Sequence, residues 1–122
     1  VVTGTLTVNG VVAANGDTPA EPPHCARTAG GGAGGSVWLA ADVLAGSGLV
    51  SADGGNGVAA ACEAAQTGGG GGGGGRVAVY KTRSTFGGMV RAEGGLAAAY
   101  NENGAFKGAS TNGAAGTVIV SP

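Results

Sequence analysis

The chain has 122 residues, of which 29 are glycine, 43% are hydrophobic and only 11% are charged. Disordered chains are poor in apolar residues and rich in charge, and collagen has glycine at every third position, so this composition argues against both. The formal net charge of −1, with scattered basic residues, offers no basic patch for nucleic acid, and no apolar run approaches the ~20 residues of a membrane span.

The first feature along the chain is a short motif that occurs three times. It reads NGVVAANG, SGLVSADG and GGMVRAEG, and its equivalent valines are Val12, Val50 and Val90. A second motif reads GSVWLA, GRVAVY and GTVIVS, with equivalent valines at Val37, Val77 and Val118. Both motifs return after about 40 residues, a period that is typical of proteins built from stacked repeats.

Each unit reads as two short strands that are separated by a turn and followed by a Gly/Ala-rich segment. Val37 and Leu39 alternate with other residues, as do Val77 and Val79, which is the pattern of a half-buried strand. We therefore predict one all-β domain over residues 1–122, a parallel β-solenoid (β-helix) of about three coils of ~40 residues with Gly/Ala-rich excursions. The coils are expected at about 1–38, 39–78 and 79–119.

Both ends of the chain are expected in the same strand of the predicted coil. The register places Val1 and Val2 opposite residues 39 and 40. It places the last strand, Thr117–Pro122, opposite Arg76–Lys81, in the next phase. Because an open sheet edge is a template for pairing, we expect head-to-tail self-association. The expected interface residues are Val1, Val2, Leu6, Val8, Val118, Ile119 and Val120. Since the chain begins with valine, it is expected to be a processed chain or an excerpt.

The two cysteines occupy nearly equivalent positions in adjacent units. Cys25 follows Val12 by 13 residues, and Cys62 follows Val50 by 12 residues. Neighbouring strands lie ~4.8 Å apart, and a disulfide needs Cα atoms ~4.4–6.8 Å apart. The register therefore predicts a Cys25–Cys62 disulfide, which is typical of an oxidising compartment. Two unrelated buried thiols are the alternative, and His24 does not complete a zinc-site spacing.

The string GGGAGGSVWLAADVLAGSGLVSADGGNG, followed by GGGGGGGGRVAVY, resembles the Gly-rich repeats of large secreted and surface proteins with parallel β-helix architecture. The resemblance covers Gly30–Tyr80 well and the flanking units more loosely. It implies an exported, adhesin-like or structural protein, and it carries no catalytic signature. This chain departs from the family in its Pro19–Cys25 insertion and in its short length. A piece of three coils would be unusual as a lone adhesin, so the short length favours assembly.

The glycine run Gly68–Gly75 is open to two structural interpretations. A phosphate-binding loop needs Lys followed by Ser or Thr, whereas Arg76 and a strand-like segment follow here. Glycine permits positive φ angles and close approach of neighbouring backbones. Alternatively, the glycine segments pack as extended, polyproline-II-like strands through Cα–H···O contacts.

Asn15, Asp53 and Glu93 align in successive units by the same register. Two carboxylates ~5 Å apart repel each other, and a calcium ion with oxygen ligands would relieve the repulsion. Alternatively, both point to solvent, or Arg91 or Arg83 neutralises them. A glycosidase-like or lyase-like pair is a further alternative. No acid–base set stands out, so we predict that the chain is not an enzyme and has no cofactor, unless calcium binds at these three residues.

Trp38, Ala78 and Ile119 share the face opposite the inward valines. An exposed tryptophan and isoleucine would serve as a subunit interface or as a carbohydrate platform, to which Tyr80 and Tyr100 would belong. The alternative is that a Gly-rich segment folds over these side chains and buries them.

Two functions are consistent with these patterns. The first is a structural subunit of an extracellular fibre or surface assembly, which stacks end to end by β-strand addition. The second is a carbohydrate- or surface-binding segment of a larger β-helix adhesin. Both place the protein outside the cell or on its surface, with copies of itself, and in the second case carbohydrate or a cell surface, as partners.

Overall fold

A computed structural model of the chain describes residues 1–20, 28–59, 68–98, 100–102, 105–107 and 110–122. Within these residues the chain forms nine β-strands and no α-helix. The strands are β1 (Val2–Thr7), β2 (Val11–Ala13), β3 (Ser36–Gly46), β4 (Leu49–Ser51), β5 (Arg76–Phe86), β6 (Met89–Arg91), β7 (Tyr100–Glu102), β8 (Ala105–Lys107) and β9 (Thr117–Ser121). The described part of the chain contains no helix with the length and apolar character of a membrane span.

Two parallel sheets contain most of the strands. The larger sheet has the order β1-β3-β5-β9 and the smaller sheet the order β2-β4-β6, while β7 and β8 form a separate antiparallel pair. The equivalent valines of the two motifs pair in order, Val12–Val50–Val90 in the smaller sheet and Val37–Val77–Val118 in the larger sheet. The predicted pairing of the repeats is therefore confirmed.

The core joins the inward faces of the two sheets and consists mainly of valines. Val50 is completely buried, and Val77 and Val79 are each 1% exposed. The side chains of Val77 and Val79 alternate along β5 with outward residues because successive side chains of a strand point to opposite faces. The equivalent residues of β9, Val118 and Val120, are 42% and 49% exposed. The core is therefore closed at the central strands and open at β9.

Glycine-rich segments extend from both sheets and pack in two layers. The first layer follows the strands of the smaller sheet and contains 14–18, 52–57 and 92–97, and the second layer precedes the strands of the larger sheet and contains 30–35, 69–75 and 111–116. Neighbours within a layer run parallel, so that Gly34 donates its amide to the carbonyl of Gly73. Segments of different layers run antiparallel, as in the bonds from Gly72 to Gly55 and from Gly75 to Ala52.

The segment 69–75 shows how these layers are bonded. Its amides point alternately to residues 52–58, from Gly69, Gly72 and Gly75, and to the segment 111–116, from Gly71 and Gly74. Donors to one neighbour thus recur at every third residue, which is the period of a polyproline II helix. Among the described glycines only Gly4 and Gly46 have φ angles in the left-handed region. The polyproline-II-like interpretation of the glycine run agrees with this packing, and left-handed glycines do not account for it.

The predicted β-solenoid is wrong. The structure is a small α-free β domain with two parallel sheets of four and three strands, and no coil is shown in its described part. A repeat period predicts which residues pair across a sheet, but it does not determine the path of the segments between strands. Here those segments pack backbone to backbone, because glycine has no Cβ that would hold them apart. The predicted extent of the domain and of its units stays a prediction.

The predicted register is displaced by one residue at the start of β1. Val2 pairs with Ala41 rather than with residue 40, and the register shifts between residues 2 and 5. Gly4, with a φ of 111°, lies at this shift and donates its amide to the Asp42 carboxylate at 2.9 Å. A bulge of this kind bends one strand locally, and a sequence repeat does not reveal it.

Candidate assembly edges and neighbouring side chains

The larger sheet has two edges, and each is only half covered. Its central strands, β3 and β5, have 11 residues each. On one side, β1 pairs with β3 from Ala41 to Ala45, and residues 36–40 have no partner there among the described residues. On the other side, β9 pairs with β5 up to Tyr80, and residues 81–86 have no described partner there. Because Ala40 pairs with Tyr80, both steps lie at the same level of the sheet.

The edge that ends in β9 exposes apolar side chains. We call it the β9 edge, and it also contains β6 and the glycine segments 92–97 and 111–116. Its exposed apolar side chains are Met89, Leu96, Val118, Ile119 and Val120. Three of them were predicted as interface residues, whereas Met89 and Leu96 were not. Exposed apolar side chains at a sheet edge make that edge a candidate interaction surface.

The opposite edge contains β1, β2 and the glycine segments 14–18 and 30–35, and we call it the β1 edge. Val1 is 90% exposed, while Val2 and Leu6 are half-buried. Val8, also predicted at the interface, is buried in the core and donates its amide to the carbonyl of Ala45 at 2.9 Å. The two predicted sets of interface residues thus lie at opposite edges of the molecule.

A row of side-chain acceptors crosses the first glycine layer. Asn15 Oδ1 accepts the Asp53 amide at 2.8 Å and the Ser51 hydroxyl at 2.9 Å. Asp53 Oδ1 accepts the Glu93 amide at 2.9 Å. The three residues that align in the sequence are therefore connected, each side chain to the backbone of the next residue in the row.

A second row lies three residues further along. Thr18 Oγ1 accepts the Asn56 amide at 2.9 Å, and Asn56 Oδ1 accepts the Leu96 amide at 2.8 Å. Sequence reasoning missed this row. The signal was the recurrence of a polar residue three positions after Asn15 and after Asp53, which is one turn of a polyproline II helix.

Arg91 neutralises one member of the first row. Its Nε lies 2.8 Å from Asp53 Oδ2, and the Asp53 side chain is 15% exposed. This ion pair is one of the alternatives for the aligned carboxylates, and it occupies the oxygen of Asp53 that does not bind Glu93. Among the described residues no cluster of three or more His, Cys, Asp or Glu side chains is arranged to hold a metal ion.

Two aromatic side chains lie next to each other on the outward face of the larger sheet. Trp38 is 57% and Tyr80 41% exposed, so no glycine segment among the described residues buries them. Their ring centroids are 6.0 Å apart and their planes meet at 54°. Because of this tilt only one ring at a time can lie flat against a ligand. The structure does not describe the side chain of Tyr100, the third predicted platform residue.

The predicted disulfide also falls outside the described residues. Both Cys25 and Cys62 belong to undescribed segments, as does His24. The antiparallel bridge between Ala29 and Val58 lies just beyond these two segments. The disulfide therefore stays a prediction.

Comparisons with known proteins assign no family to this chain. No protein-family model, no curated protein and no solved structure matches it. Its function is therefore inferred from the geometry of the described residues.

Proposed function

We propose that the protein is a structural subunit of an extracellular fibre or surface assembly, in which copies join head to tail by β-strand addition. The supporting observation is that the two stepped edges fit each other. β9 pairs with residues 76–80 of β5 and β1 pairs with residues 41–45 of β3, so that together they match ten of the 11 residues of a central strand. In the proposed contact, β9 of one copy pairs with 36–40 of the next, whose β1 pairs with 81–85 of the first.

The contact also closes the open core at the β9 edge. Val118 is in register with Val77, which is in register with Val37, so Val118 would lie against Val37 of the next copy. By the same register, Ile119 would lie beside Trp38 of the next copy. The exposed valines of β9 would then have the environment that Val77 has in the central strand.

The energies indicate that main-chain bonds are essential to the contact. Burying Val118, Ile119 and Val120 contributes about 1–2 kcal/mol for each side chain. That is insufficient alone, because association costs about 4–15 kcal/mol in lost freedom. The smaller sheet and both glycine layers are open at the same edges, and each ladder bond that they add contributes about 0.5–1.5 kcal/mol net.

The symmetry of the contact favours a fibre over a closed dimer. The β9 edge of one copy meets the β1 edge of another, so the two surfaces in contact are different. Such head-to-tail contacts leave one free edge of each kind after every addition and generate open filaments unless a rotation closes a ring.

Substitution of Val120 by proline tests the proposal. The amide of Thr117 donates to the Gly75 carbonyl at 3.0 Å, and successive amides of a strand point to opposite sides. The Val120 amide therefore points to the open edge, and Val120→Pro removes it without affecting the bonds to β5. Val120→Thr keeps both the amide and the branched shape and is the matched control.

We expect the wild-type chain to form filaments above a critical concentration, seen by electron microscopy and sedimentation. Trp38 is the only tryptophan, so a blue shift of its emission reports burial at the contact. Val120→Pro should raise the critical concentration at least about tenfold, the effect of losing roughly 1.4 kcal/mol, whereas Val120→Thr should still assemble. A wild-type chain that is monomeric at every concentration, or a proline variant that assembles equally well, would contradict the proposal.

The exposed Trp38–Tyr80 pair favours a second function, carbohydrate or surface binding within a larger adhesin. Aromatic faces stack on the apolar faces of sugars, and Trp38 offers the larger ring. The same fluorescence experiment distinguishes the two functions. Emission that is independent of protein concentration but changes on addition of a soluble polysaccharide would favour binding over assembly.

A further inference from the structure

We infer that Glu93 is the side-chain acceptor of the head-to-tail contact and receives the backbone amide of Asn15 from the next copy. This inference rests on the proposed assembly and identifies the group that aligns the first glycine layers of the two copies across the contact. It follows from the direction of the two acceptor rows.

Both rows run in one direction. Asn15 accepts the amide of Asp53, and Asp53 accepts the amide of Glu93. In each bond the side chain belongs to the residue nearer the β1 edge, and the amide to the residue nearer the β9 edge. Glu93 is the last member of its row, is exposed, and its carboxylate has no hydrogen-bond donor among the described residues.

The backbone register presents one specific amide to this carboxylate. Gly16 donates to the Asp53 carbonyl at 2.7 Å, and Gly54 donates to the Glu93 carbonyl at 2.8 Å. A copy added at the β9 edge in the same register places its Asn15 amide opposite the Glu93 side chain. A hydrogen bond from an amide to a carboxylate is charge-assisted and stronger than one between neutral groups.

The second row cannot serve the same purpose. It ends in Leu96, which has no acceptor in its side chain and is 60% exposed. Glu93 is therefore the only member of the two rows that can extend a row across the contact. The Glu93 carboxylate forms no ion pair with Arg91, because Arg91 pairs with Asp53 instead.

The first row also shows what the next copy lacks. In this row the residue two positions before the accepted amide gives the acceptor a second donor, Ser51 to Asn15 and Arg91 to Asp53. Ala13 pairs with Ser51, which pairs with Arg91, so Ala13 occupies the corresponding position in the next copy. Ala13 is exposed and carries no donor. Ala13→Arg should therefore reproduce the Arg91–Asp53 pair between copies, with Glu93 as its partner.

Four variants of the full chain test the inference through the critical concentration, measured by Trp38 emission and sedimentation. Glu93→Ala removes the acceptor and should raise the critical concentration about tenfold. Glu93→Asn removes the charge but restores the acceptor found at Asn15, so it should stay within about threefold of wild type. Ala13→Arg should lower the critical concentration about threefold, and it should have no such effect when combined with Glu93→Ala.

The outcomes separate this inference from the proposed function. If the wild-type chain assembles and Glu93→Ala assembles equally well, the inference is overturned while the assembly stands. A benefit of Ala13→Arg that persists in the Glu93→Ala background overturns it as well. If the wild-type chain never assembles, both are overturned. Thermal unfolding of the monomeric Glu93→Ala variant should match that of wild type, because the carboxylate bonds nothing within the described monomer.

Discussion

Equivalent residues of the repeats have very different environments at the centre and at the edge of the larger sheet. Val77 is 1% exposed, whereas Val118, which pairs with it, is 42% exposed. The buried valine, Val77, therefore contributes to the stability of the monomer. The exposed valine, Val118, is accessible to a neighbouring molecule. This difference separates, at single residues, the stability of the fold from the proposed assembly.

Truncation of the two valines should show this separation. Val77→Ala removes two buried methyl groups and should lower the free energy of unfolding by about 2 kcal/mol. Val118→Ala should change it by less than about 0.5 kcal/mol, because surface substitutions have small effects. Urea unfolding of both variants at a monomeric concentration measures this. Equal destabilisation by the two substitutions would show that β9 belongs to the closed core.

At the scale of single residues, the sequence predicted part of the observed arrangement. The alignment of Asn15, Asp53 and Glu93 was correctly read from the repeat, but their hydrogen bonds to successive backbones were not. Those bonds depend on the backbone conformation of the first glycine layer, which the pattern of residue types does not specify. The neutralisation of Asp53 by Arg91 was one of several alternatives that the sequence left open. The structure was needed to distinguish it from the others.

The glycine segments show that glycines of one run are not equivalent. A Cβ at Gly72 would lie 2.0 Å from the Gly32 carbonyl oxygen, whereas the nearest atom to a Cβ at Gly73 is the Ala114 oxygen at 3.9 Å. Gly70 resembles Gly73, with its nearest atom at 3.4 Å. The tolerant positions thus recur at every third residue, in agreement with the period of the hydrogen bonds.

Two neighbouring glycines of this run should therefore respond in opposite ways to alanine. Gly72→Ala forces two backbones apart and should cost about 3 kcal/mol or more. Gly73→Ala should be neutral or stabilising by up to about 1 kcal/mol, because alanine reduces the freedom of the unfolded chain. Thermal or urea unfolding of both variants measures the difference. Similar destabilisation by the two would contradict the packing of the second layer.

The strand elements were predicted better than their arrangement. The alternation of valine or leucine with other residues at 37–39, 77–79 and 118–120 marked strands of the larger sheet, and the repeat period predicted their pairing. The architecture was wrong because glycine carries no side-chain pattern. Its packing depends on which carbonyl approaches which Cα, and a run of identical residues cannot encode that. The bulge at Gly4 escaped prediction because it shifts the register within one strand.

The whole molecule presents two stepped edges that neither the composition nor the motifs alone describe. The overlap of the two chain ends in one strand phase was apparent in the sequence, and it led to the head-to-tail hypothesis. The complementary lengths of β1 and β9 became apparent only from the strand bounds in the structure. Under the proposed assembly, each added copy would present at its free edge the same surface that the previous copy presented.

The glycine layers also determine how the molecule should respond to temperature. Unfolding raises the heat capacity when apolar surface is exposed and lowers it when peptide groups are exposed. Since the layers bury backbone against backbone, the heat capacity change should be below the usual ~12–15 cal/mol/K per residue, at about two thirds of it. Calorimetry on the monomeric Val120→Pro chain measures this, and a value at or above the usual range would contradict it. A small heat capacity change flattens the stability curve, so that cooling weakens the fold little and an exposed fibre would keep its strength from cold to warm surroundings.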